Sequence, residues 1–392
     1  MKPAYIVNAV RTPMGSFGGS LSSLSAVQLG AHAIKALLSR TGLDASEVEE
    51  VFMGNVVSAN LGQAPARQAA IGAGLGHQVP CTTVNKVCSS GMKSIAFAAQ
   101  AIELGQADVI VAGGFESMSN IPYYVPKARF GYKFGGGQLI DGLQRDGLSD
   151  AYDEVAMGVS ADQTAAELGI TREEQDDYAV KSYKSASAKT ESGRFAEEIA
   201  PIDVPQRRGD AITVAHDEEF SKVKFEKIAK LRGAFSKDGT VTAANASTIN
   251  DGGSALLVVS EAALKRYGLT PIARVAGYAD AAREPMRFPL APTLAAPKAL
   301  ERAGCSMQDM DLLEVNEAFA MVPIAFSRQL DVDPNRINVN GGAVSLGHPL
   351  GMSGARIVGT LMHELRLSGK KHGLAAICNG GGGASALVLE SV

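Results

Sequence analysis

An internal repeat with a constant offset is the feature that most limits what this chain can fold into. The letters SGMK, which start at Ser90, match SGAR, which starts at Ser353, and each opens a largely apolar run typical of a buried helix. The two serines are 263 residues apart, and so are Leu104 and Leu367, near which the runs close. Agreement at one offset in several places indicates a duplicated unit.

Strands and helices are predicted to alternate along both copies of the unit. A short apolar segment that ends in glycine follows each helical run, at 109–114 and at 374–380. Such alternation is typical of layered α/β folds. A more charged segment breaks the repeat, and Thr171 with Glu174 predicts a helix-capping box within it. We expect two duplicated layered α/β halves with an inserted loop domain, divided as 1–119 with 246–270, 120–245, and 271–392.

Length and composition argue against several classes of protein. A chain of 392 residues predicts two or three domains. Its net charge of -4 gives no basic footprint for nucleic acid, and no apolar run approaches the ~20 residues of a membrane helix. No signal sequence precedes the first predicted strand. We therefore expect no nucleic-acid or membrane partner, and a location in the cytoplasm, or in the mitochondrial matrix if the chain is a processed mature form.

The number and spacing of the cysteines are not typical of disulfides or of metal ligands. Four of them, Cys81, Cys88, Cys305 and Cys378, are spread along a long chain without CxxC or zinc-type Cys/His spacing. This pattern indicates a reducing compartment and no transition metal. A cysteine with a special role would then be a nucleophile.

Cys88 is the first candidate nucleophile. It stands just before a predicted helix that is apolar on every face, from Ile95 to Leu104, and a helix apolar all round is buried. The positive end of such a helix would point at Cys88 and lower the pKa of the thiol. A packed structural cysteine is the alternative, because free cysteine is among the most buried residue types.

Three further stretches carry polar groups beside glycines or at predicted strand ends. "NGGAVSLGHPLGMSGAR" places His348 nearly where the second repeat matches Cys88, although a lone histidine is more often structural. "AAICNGGGGAS" places Cys378 at a strand end before four glycines, which allow backbone N–H groups to approach a ligand, or form a flexible turn. "EVNEAFA" places Asn316 and Glu317 between apolar neighbours.

Together these stretches resemble the signatures of the thiolase family over the whole chain. The matching motifs are Cys88-Ser89-Ser90, Asn316-Glu317-Ala318-Phe319, Gly347-His348-Pro349 and Cys378-Asn379-Gly380. "TVTAANAS" and "GGAVSLGHP" are most similar to the acetyl-CoA acetyltransferases of the biosynthetic or mitochondrial type. The resemblance implies a reversible condensation of two acetyl-CoA molecules to acetoacetyl-CoA and CoA.

The resemblance also implies catalytic roles. Cys88 would carry the acetyl group as a thioester, and His348 would take the thiol proton. Cys378 would remove a proton from the α-carbon of the second acetyl-CoA. One set of oxyanion donors would be His348 with a water held by Asn316, and the other would be the backbone N–H groups of Cys88 and Gly380.

Coenzyme A, as a substrate, is expected outside this pocket. The resemblance implies contacts along the inserted segment and the signature loops, from Lys222, Val223, Lys224, Lys227, Ser247, Met157, Ala318, Phe319 and Tyr183. Each lysine could equally belong to a solvated charged face. Many relatives carry histidine before this Met-Gly pair, whereas this chain has Ala156, so that contact is not carried over.

A potassium ion is expected as an activator. Phe288-Pro289 resembles the mitochondrial subgroup that accepts a 2-methyl acyl chain and responds to potassium, or forms a rigid turn on the core. The ligands implied are Tyr183, Val344 and the backbone of Ala243, Ala244 and Ala246. The family also implies a homotetramer, a dimer of dimers.

Three other functions compete with this one. The first is a degradative 3-ketoacyl-CoA thiolase of broader chain length, because the accepted acyl chain depends on the shape of the pocket and not on these motifs. A thiolase-fold binding protein that has lost catalysis is disfavoured because all four signatures are intact. A nucleotide-phosphate site is disfavoured because GxxxxGK[ST] does not occur.

Overall fold

A computed structural model describes residues 2–392, and strands and helices are numbered here in chain order. The first part of the chain alternates strands and helices as the sequence predicts. Its elements are β1 (Ala4–Arg11), β2 (Gly15–Ser16), α1 (Ala26–Thr41), β3 (Glu50–Gly54), α2 (Pro65–Gly72), β4 (Cys81–Val84), α3 (Ser90–Glu103) and β5 (Val109–Ser117).

The next part lies outside the repeat. Its elements are β6 (Tyr123–Tyr124), β7 (Ile140–Asp141), α4 (Met157–Glu167), α5 (Arg172–Glu191), β8 (Ile202–Val204) and β9 (Ile212–Val214). β6 pairs with β7 and β8 with β9, in two small sheets separate from the central one. The predicted capping box is present, since the Thr171 side chain accepts from Glu174 N–H and the Glu174 side chain accepts from Thr171 N–H.

The chain then returns to the first half and builds the second. Its elements are β10 (Asn250–Ser260), α6 (Glu261–Tyr267), β11 (Ala273–Ala282), α7 (Pro292–Ala303), β12 (Leu312–Val315), α8 (Met321–Leu330), α9 (Ala343–Leu346), α10 (Leu350–Ser368), β13 (His372–Asn379) and β14 (Gly383–Ser391). No helix within residues 2–392 is both long and apolar enough to cross a membrane.

The central sheet displays the duplication directly. Its strand order is β12-β13-β14-β11-β1-β10-β5-β3-β4, with β2 paired to the end of β10. β1 and β11, the first strand of each half, are antiparallel neighbours in the middle. Outward from them the order β10-β5-β3 is matched by β14-β13-β12, and the place of β4 is taken by a single bridge between Leu313 and Ile337. The predicted pair of duplicated α/β halves is confirmed.

The helices α3 and α10 are equivalent in the two halves and pack against each other. They cross at Gly91 and Gly354, which are 263 residues apart. A Cβ atom on Gly91 would lie 2.7 Å from the backbone nitrogen of Ala355, and one on Gly354 would lie 2.4 Å from that of Met92. The missing side chains therefore allow the first turns of both helices to meet at one place.

The prediction that α3 is apolar and buried on every face is only partly correct. Its core-facing residues, such as Ile95 and Ala99, are fully buried. Phe97 is half-buried and is covered by the Lys93 ammonium, 4.8 Å from the ring centre. Leu104, which caps the helix, is 71% exposed. The end of the helix remote from Cys88 thus reaches the surface.

Candidate active site

Cys88 lies in a tight turn between β4 and α3. The preceding residue, Val87, has a φ of 48°, which is an outlier for a β-branched side chain. Ser90 secures the turn, because its Oγ accepts from Lys86 N–H at 2.8 Å and donates to the Val87 carbonyl at 2.5 Å. The strained turn projects Cys88 ahead of the first turn of α3.

The expectation that the pKa of Cys88 is lowered is wrong in its net direction. Burial raises the pKa of this thiol to about 11, and the negative charge of Glu116 also raises it. Hydrogen bonds from the backbone N–H groups of Gly380 and Cys88 lower the pKa, but loss of solvation outweighs them. Cys88 therefore rests as a thiol, and its activation requires a nearby base.

His348 has the properties of that base. It lies just before α10, is 4% exposed, and its backbone N–H donates to Asn250 Oδ1 at 2.9 Å. Its Nδ1 is 2.6 Å from Ser353 Oγ, and the Ser353 hydroxyl donates its proton to the Pro349 carbonyl at 2.8 Å. Nδ1 must therefore carry a hydrogen, which leaves Nε2 as the proton acceptor.

Nε2 of His348 is free to accept that proton. It is buried and has no hydrogen-bond partner within residues 2–392. Burial, together with the positive charge of Arg356, lowers the pKa of His348 to about 3, so the ring is neutral near pH 7. A neutral imidazole with an open lone pair can accept the thiol proton, and the negative thiolate that forms would stabilise the charged ring.

The other predicted catalytic residues gather at the end of β13 and after β12. Cys378 is fully buried, and burial raises the pKa of its thiol well above the usual value; a thiolate at Cys88 would raise it further. Asn316 is 1% exposed, and neither of its side-chain polar atoms has a partner within the described residues. Two orphaned amide atoms at a buried position indicate a water or substrate ligand.

Gly380 begins the turn between β13 and β14. A Cβ atom there would meet Met157 Cε and Val87 Cγ1 at 3.6 Å, which is ordinary contact. The protein neighbours thus do not require glycine at this position. We expect a side chain at this position to crowd a bound acetyl group rather than the protein.

Two buried carboxylates fix the loops that carry these residues. Glu317 accepts hydrogen bonds from four donors on the inserted helix α5 and on the segment that leads to His348, namely Tyr178, Ser182, Asn338 and the Val344 N–H. Glu116 likewise accepts from Asn55 and from the N–H groups of Val56, Val57 and Gly351. Burial raises the pKa of Glu116 to about 7.

Several of these supporting residues were missed by sequence analysis. Ser353 and Asn250 lie inside segments that were predicted as helix and strand, Glu116 lies just after a predicted strand, and none of them was assigned a role. The only available signal was a polar side chain in an apolar run, as in "INDGG" and "GGFES". That signal identified Asn316 and would have identified these residues too.

A cavity of about 560 Å³ leads to His348. Its walls are largely apolar, with Phe235, Leu148 and Ile249 among them. Five of the residues expected to contact CoA or act in catalysis line it: Met157, Lys222, Ser247, Phe319 and His348. The Lys222 ammonium donates to Ser16 Oγ. The cavity has the size and apolar character of a small-molecule site.

The remaining predicted CoA residues lie outside the cavity wall. Lys224 and Lys227 are exposed around a 3₁₀ turn at 225–230, and Val223 packs against the cluster that contains Tyr183 and Val344. Ala318 contacts the cavity wall indirectly, because its carbonyl accepts a hydrogen bond from the N–H of Ser247, which lines the cavity, at 3.0 Å. Ala156 precedes α4 without a side-chain cap.

The potassium ligands are only partly brought together. Tyr183 and Val344 share one apolar cluster with Ala320, whose N–H donates to the Asn245 carbonyl at 2.8 Å. Ala243 and Ala246 line the cavity, and Ala244 is buried between them. Burial and the negative charges of Glu219 and Glu317 raise the pKa of Tyr183. Among residues 2–392, no three His, Cys, Asp or Glu side chains are grouped to hold a metal ion.

Phe288 does not line the cavity but packs behind it. It is 3% exposed, and its ring centre lies 6.4 Å from that of Phe319 in a tilted arrangement. Phe319 in turn meets Phe235 edge-on at 6.0 Å. Phe288 can therefore affect the cavity through Phe319.

Comparisons with known proteins agree with this arrangement. The family model described as "Thiolase, N-terminal domain" matches residues 4–262, and the one described as "Thiolase, C-terminal domain" matches residues 269–391. A protein of Dictyostelium discoideum named "Probable acetyl-CoA acetyltransferase" is 54% identical over all of this chain and 95% of its own. "Acetyl-CoA acetyltransferase, mitochondrial" of Danio rerio is 52% identical over 100% and 92%.

A solved structure agrees over the whole chain. The crystal structure of the Acat5 thiolase from Ascaris suum in complex with coenzyme A is 46% identical, covers 100% of both chains and has a TM-score of 0.95. The Cys88 turn, the neutral His348 and the cavity before it thus lie in a fold that these proteins share. The chain belongs to the thiolase family.

Proposed function

We propose that the protein is an acetyl-CoA C-acetyltransferase, which condenses two acetyl-CoA to acetoacetyl-CoA and CoA reversibly through an acetyl-Cys88 intermediate. The observation that carries the proposal is the hydrogen bond of His348 Nδ1 to Ser353, which leaves a buried, neutral Nε2 as a base beside a cavity. Relatives that are 51–54% identical over nearly the whole chain are named acetyl-CoA acetyltransferase, which supports this substrate class.

In the first half-reaction, His348 takes the proton of Cys88, and the sulfur attacks the carbonyl carbon of acetyl-CoA. Negative charge develops on the thioester oxygen. In this proposal the N–H groups of Cys88 and Gly380, which hydrogen bond to the Cys88 sulfur, donate to that oxygen. CoA leaves with the proton of the Cys378 thiol, which leaves Cys378 as a thiolate. His348 keeps the proton of Cys88, and the acetyl group stays on Cys88.

In the second half-reaction, Cys378 removes a proton from the α-carbon of a second acetyl-CoA. Burial raises the pKa of the Cys378 thiol, so its thiolate is a strong base that suits a weakly acidic carbon. His348 and a water held by Asn316 donate to the enolate oxygen. The α-carbon attacks the acetyl-Cys88 carbonyl, and acetoacetyl-CoA forms as the Cys88 sulfur leaves. The leaving sulfur takes its proton back from His348, so both thiols are restored.

Coenzyme A in this proposal occupies the cavity of about 560 Å³. The pantetheine arm lies along Ser247, Met157 and Phe319, and Lys222 stands at its mouth with Lys224 and Lys227 exposed beyond. The negative charges of Glu219 and Glu317 near Tyr183 support a potassium ion at that place. Its proposed ligands are Tyr183, Val344 and the backbone of Ala243, Ala244 and Ala246.

The assembly we propose is a homotetramer. β4 is an edge strand of the central sheet, and the segment 123–139 exposes Phe130 at 89% and Phe134 at 102%. Unpaired edges and exposed aromatic clusters favour association. The compartment is the cytoplasm or the mitochondrial matrix, since relatives include proteins named as cytosolic and as mitochondrial.

The second candidate is a degradative 3-ketoacyl-CoA thiolase of broader chain length, which the same catalytic residues could serve. The test is CoA-dependent cleavage of acetoacetyl-CoA and 3-ketohexadecanoyl-CoA by the purified protein. We expect kcat/KM to be at least ~100-fold higher for acetoacetyl-CoA, as differential binding of chain carbons can provide. Equal or higher values for the long substrate would favour the degradative enzyme.

A further inference from the structure

The Asn379 side chain connects the turn of Cys88 to the turn that follows Cys378. Its Nδ2 donates to the Gly380 carbonyl at 2.8 Å, and its Oδ1 accepts from the Ser89 hydroxyl at 3.0 Å. Because a carbonyl oxygen can only accept, Nδ2 must face Gly380, and the Ser89 hydroxyl must then donate to Oδ1. Ser89 is fully buried, and Asn379 is 6% exposed. One buried amide therefore bridges two of the signature motifs.

The bond from Asn379 Nδ2 to the Gly380 carbonyl closes a ring that contains the peptide bond between these two residues. The ring restricts rotation of that peptide, and with it the direction of the Gly380 N–H. This N–H hydrogen bonds to the Cys88 sulfur and is one of the two proposed oxyanion donors. The Ser89 hydroxyl fixes the other end of the amide. Ser89 directly follows Cys88, whose own N–H is the second proposed donor.

Packing alone does not fix this part of the turn. A Cβ atom on Gly380 would make only ordinary contacts, at 3.6 Å, and one on Gly381 would meet nothing within 4 Å. Gly381 also has a φ of 81°, a conformation that glycine adopts freely. A Cβ atom on Gly383, by contrast, would lie 2.6 Å from Asn379 Nδ2, so the amide packs closely over that glycine. The orientation of Gly380 therefore depends on the Asn379 side chain more than on packing.

Neither Ser89 nor Asn379 lines the cavity in front of His348. Neither lines the other large cavity, of about 600 Å³, which Gly380 borders. We propose that Ser89 and Asn379 are positioning residues that keep the two proposed oxyanion donors, both of them backbone N–H groups, at a fixed separation. The inference rests on the proposed function and adds two residues to it. A donor pair that is fixed in advance needs no reorganisation when negative charge develops on the thioester oxygen.

The first test measures how fast radioactive acetyl-CoA labels each variant in a single turnover. We expect Ser89→Ala and Asn379→Ala each to lower the rate at saturating acetyl-CoA about tenfold, less than the roughly 10²–10³ of a missing donor, because both N–H groups remain. The half-saturating concentration should stay nearly constant, since neither side chain lines a cavity. The double variant should be no slower than Asn379→Ala, because both changes break one bridge.

The second test measures the carbonyl stretch of the acetyl group on Cys88 by isotope-edited infrared spectroscopy, in a Cys378→Ser background that retains the label. Hydrogen bonds to the oxygen weaken the C=O bond, so Ser89→Ala and Asn379→Ala should move the band to higher wavenumber. Ser94→Ala is the matched control, because it removes another fully buried hydroxyl, which donates to a carbonyl within α3. It should leave the band and the labelling rate unchanged.

Failure of this inference can be separated from failure of the proposed function. A band and a labelling rate that match the parent protein in both single variants overturn the positioning role, even if the melting temperature falls, because a purely structural bond affects stability alone. A double variant that is slower by the product of the two single effects also overturns the bridge. A protein that acetyl-CoA does not label and that does not cleave acetoacetyl-CoA overturns the proposed function, and this inference with it.

Discussion

Nδ1 of His348 and Oγ of Ser353 lie 2.6 Å apart, across the start of α10. The Ser353 hydroxyl is committed as a donor to the Pro349 carbonyl, so it can only accept from the imidazole. The hydroxyl of Ser353 therefore decides which nitrogen of the base faces the reaction.

We expect Ser353→Ala to lower kcat by about 10²-fold with little change in KM, because the imidazole loses the partner that fixes its tautomer and general-base catalysis contributes roughly 10²–10⁴. Steady-state thiolysis of acetoacetyl-CoA measures both constants. Ser353→Thr, which retains a hydroxyl, should recover part of kcat. Equal kcat in Ser353→Ala and the parent protein would show that the bond does not orient the base.

The two cysteines should fail differently when each is replaced by serine. Cys88→Ser should abolish labelling of the protein by radioactive acetyl-CoA, because a serine hydroxyl there provides no thiolate. Cys378→Ser should still be labelled at Cys88 but turn over far more slowly, since it lacks the base for the α-proton. Equal loss of labelling in both variants would contradict this division of roles.

Asn316→Ala should lower kcat much more than it raises KM. The side-chain amide of Asn316 is buried without a partner in the described chain, and it is assigned to hold a water at a developing oxyanion. Loss of one such donor typically costs about 10²–10³ in rate. A variant that is defective only in KM would indicate that Asn316 positions the substrate instead.

Alkylation of Cys88 should be slow at neutral pH and should accelerate with pH. Burial raises the pKa of the thiol from 9.0 to about 11, so the thiolate fraction rises about tenfold per pH unit below that value. Inactivation rates with iodoacetamide between pH 7 and 10 measure this slope, and acetyl-CoA should protect. Peptide mapping should find the label on Cys88. A plateau in the rate below pH 9 would mean that the helix end and the two N–H groups outweigh burial.

Potassium should activate the enzyme, and the enzyme should cleave 2-methylacetoacetyl-CoA. An ion at Tyr183, Val344 and the 243–246 loop would order the wall of the CoA cavity together with the segment before His348. It should therefore lower KM more than it raises kcat. Titration of both substrates in Na⁺ and K⁺ buffers of equal ionic strength measures this. Identical kinetics in the two salts would argue against the ion site. Absence of turnover of the methylated substrate would argue against the prediction that Phe288-Pro289 marks a pocket for a 2-methyl group.

The sequence predicted the duplicated fold, but not the electrostatic state of the candidate catalytic residues. Cys88, His348, Cys378 and Asn316 follow from motifs whose spacing is visible in the chain. The pKa of Cys88 depends on how many atoms surround the sulfur, and a motif does not contain that information. For the same reason the placement of Lys224 and Lys227 outside the cavity could not be read from their charge.

Supporting residues were harder to predict because their partners are distant in sequence. Glu116 accepts a hydrogen bond from Gly351 N–H, which is 235 positions away in sequence. Glu317 accepts one from the Ser182 hydroxyl, which is 135 positions away. No periodicity or local propensity connects such residues. They become evident when the two halves and the insertion are packed together.

The crossing at Gly91 and Gly354 has a consequence for how nucleophile and base could arise. In a dimer of identical half-length chains, every residue beside the crossing would occur twice, so a thiol on one side would impose a thiol on the other. Joining the halves in one polypeptide removes that restriction. Cys88 and His348, which lie within three residues of equivalent positions, could then become chemically different while the symmetric scaffold continued to hold them together.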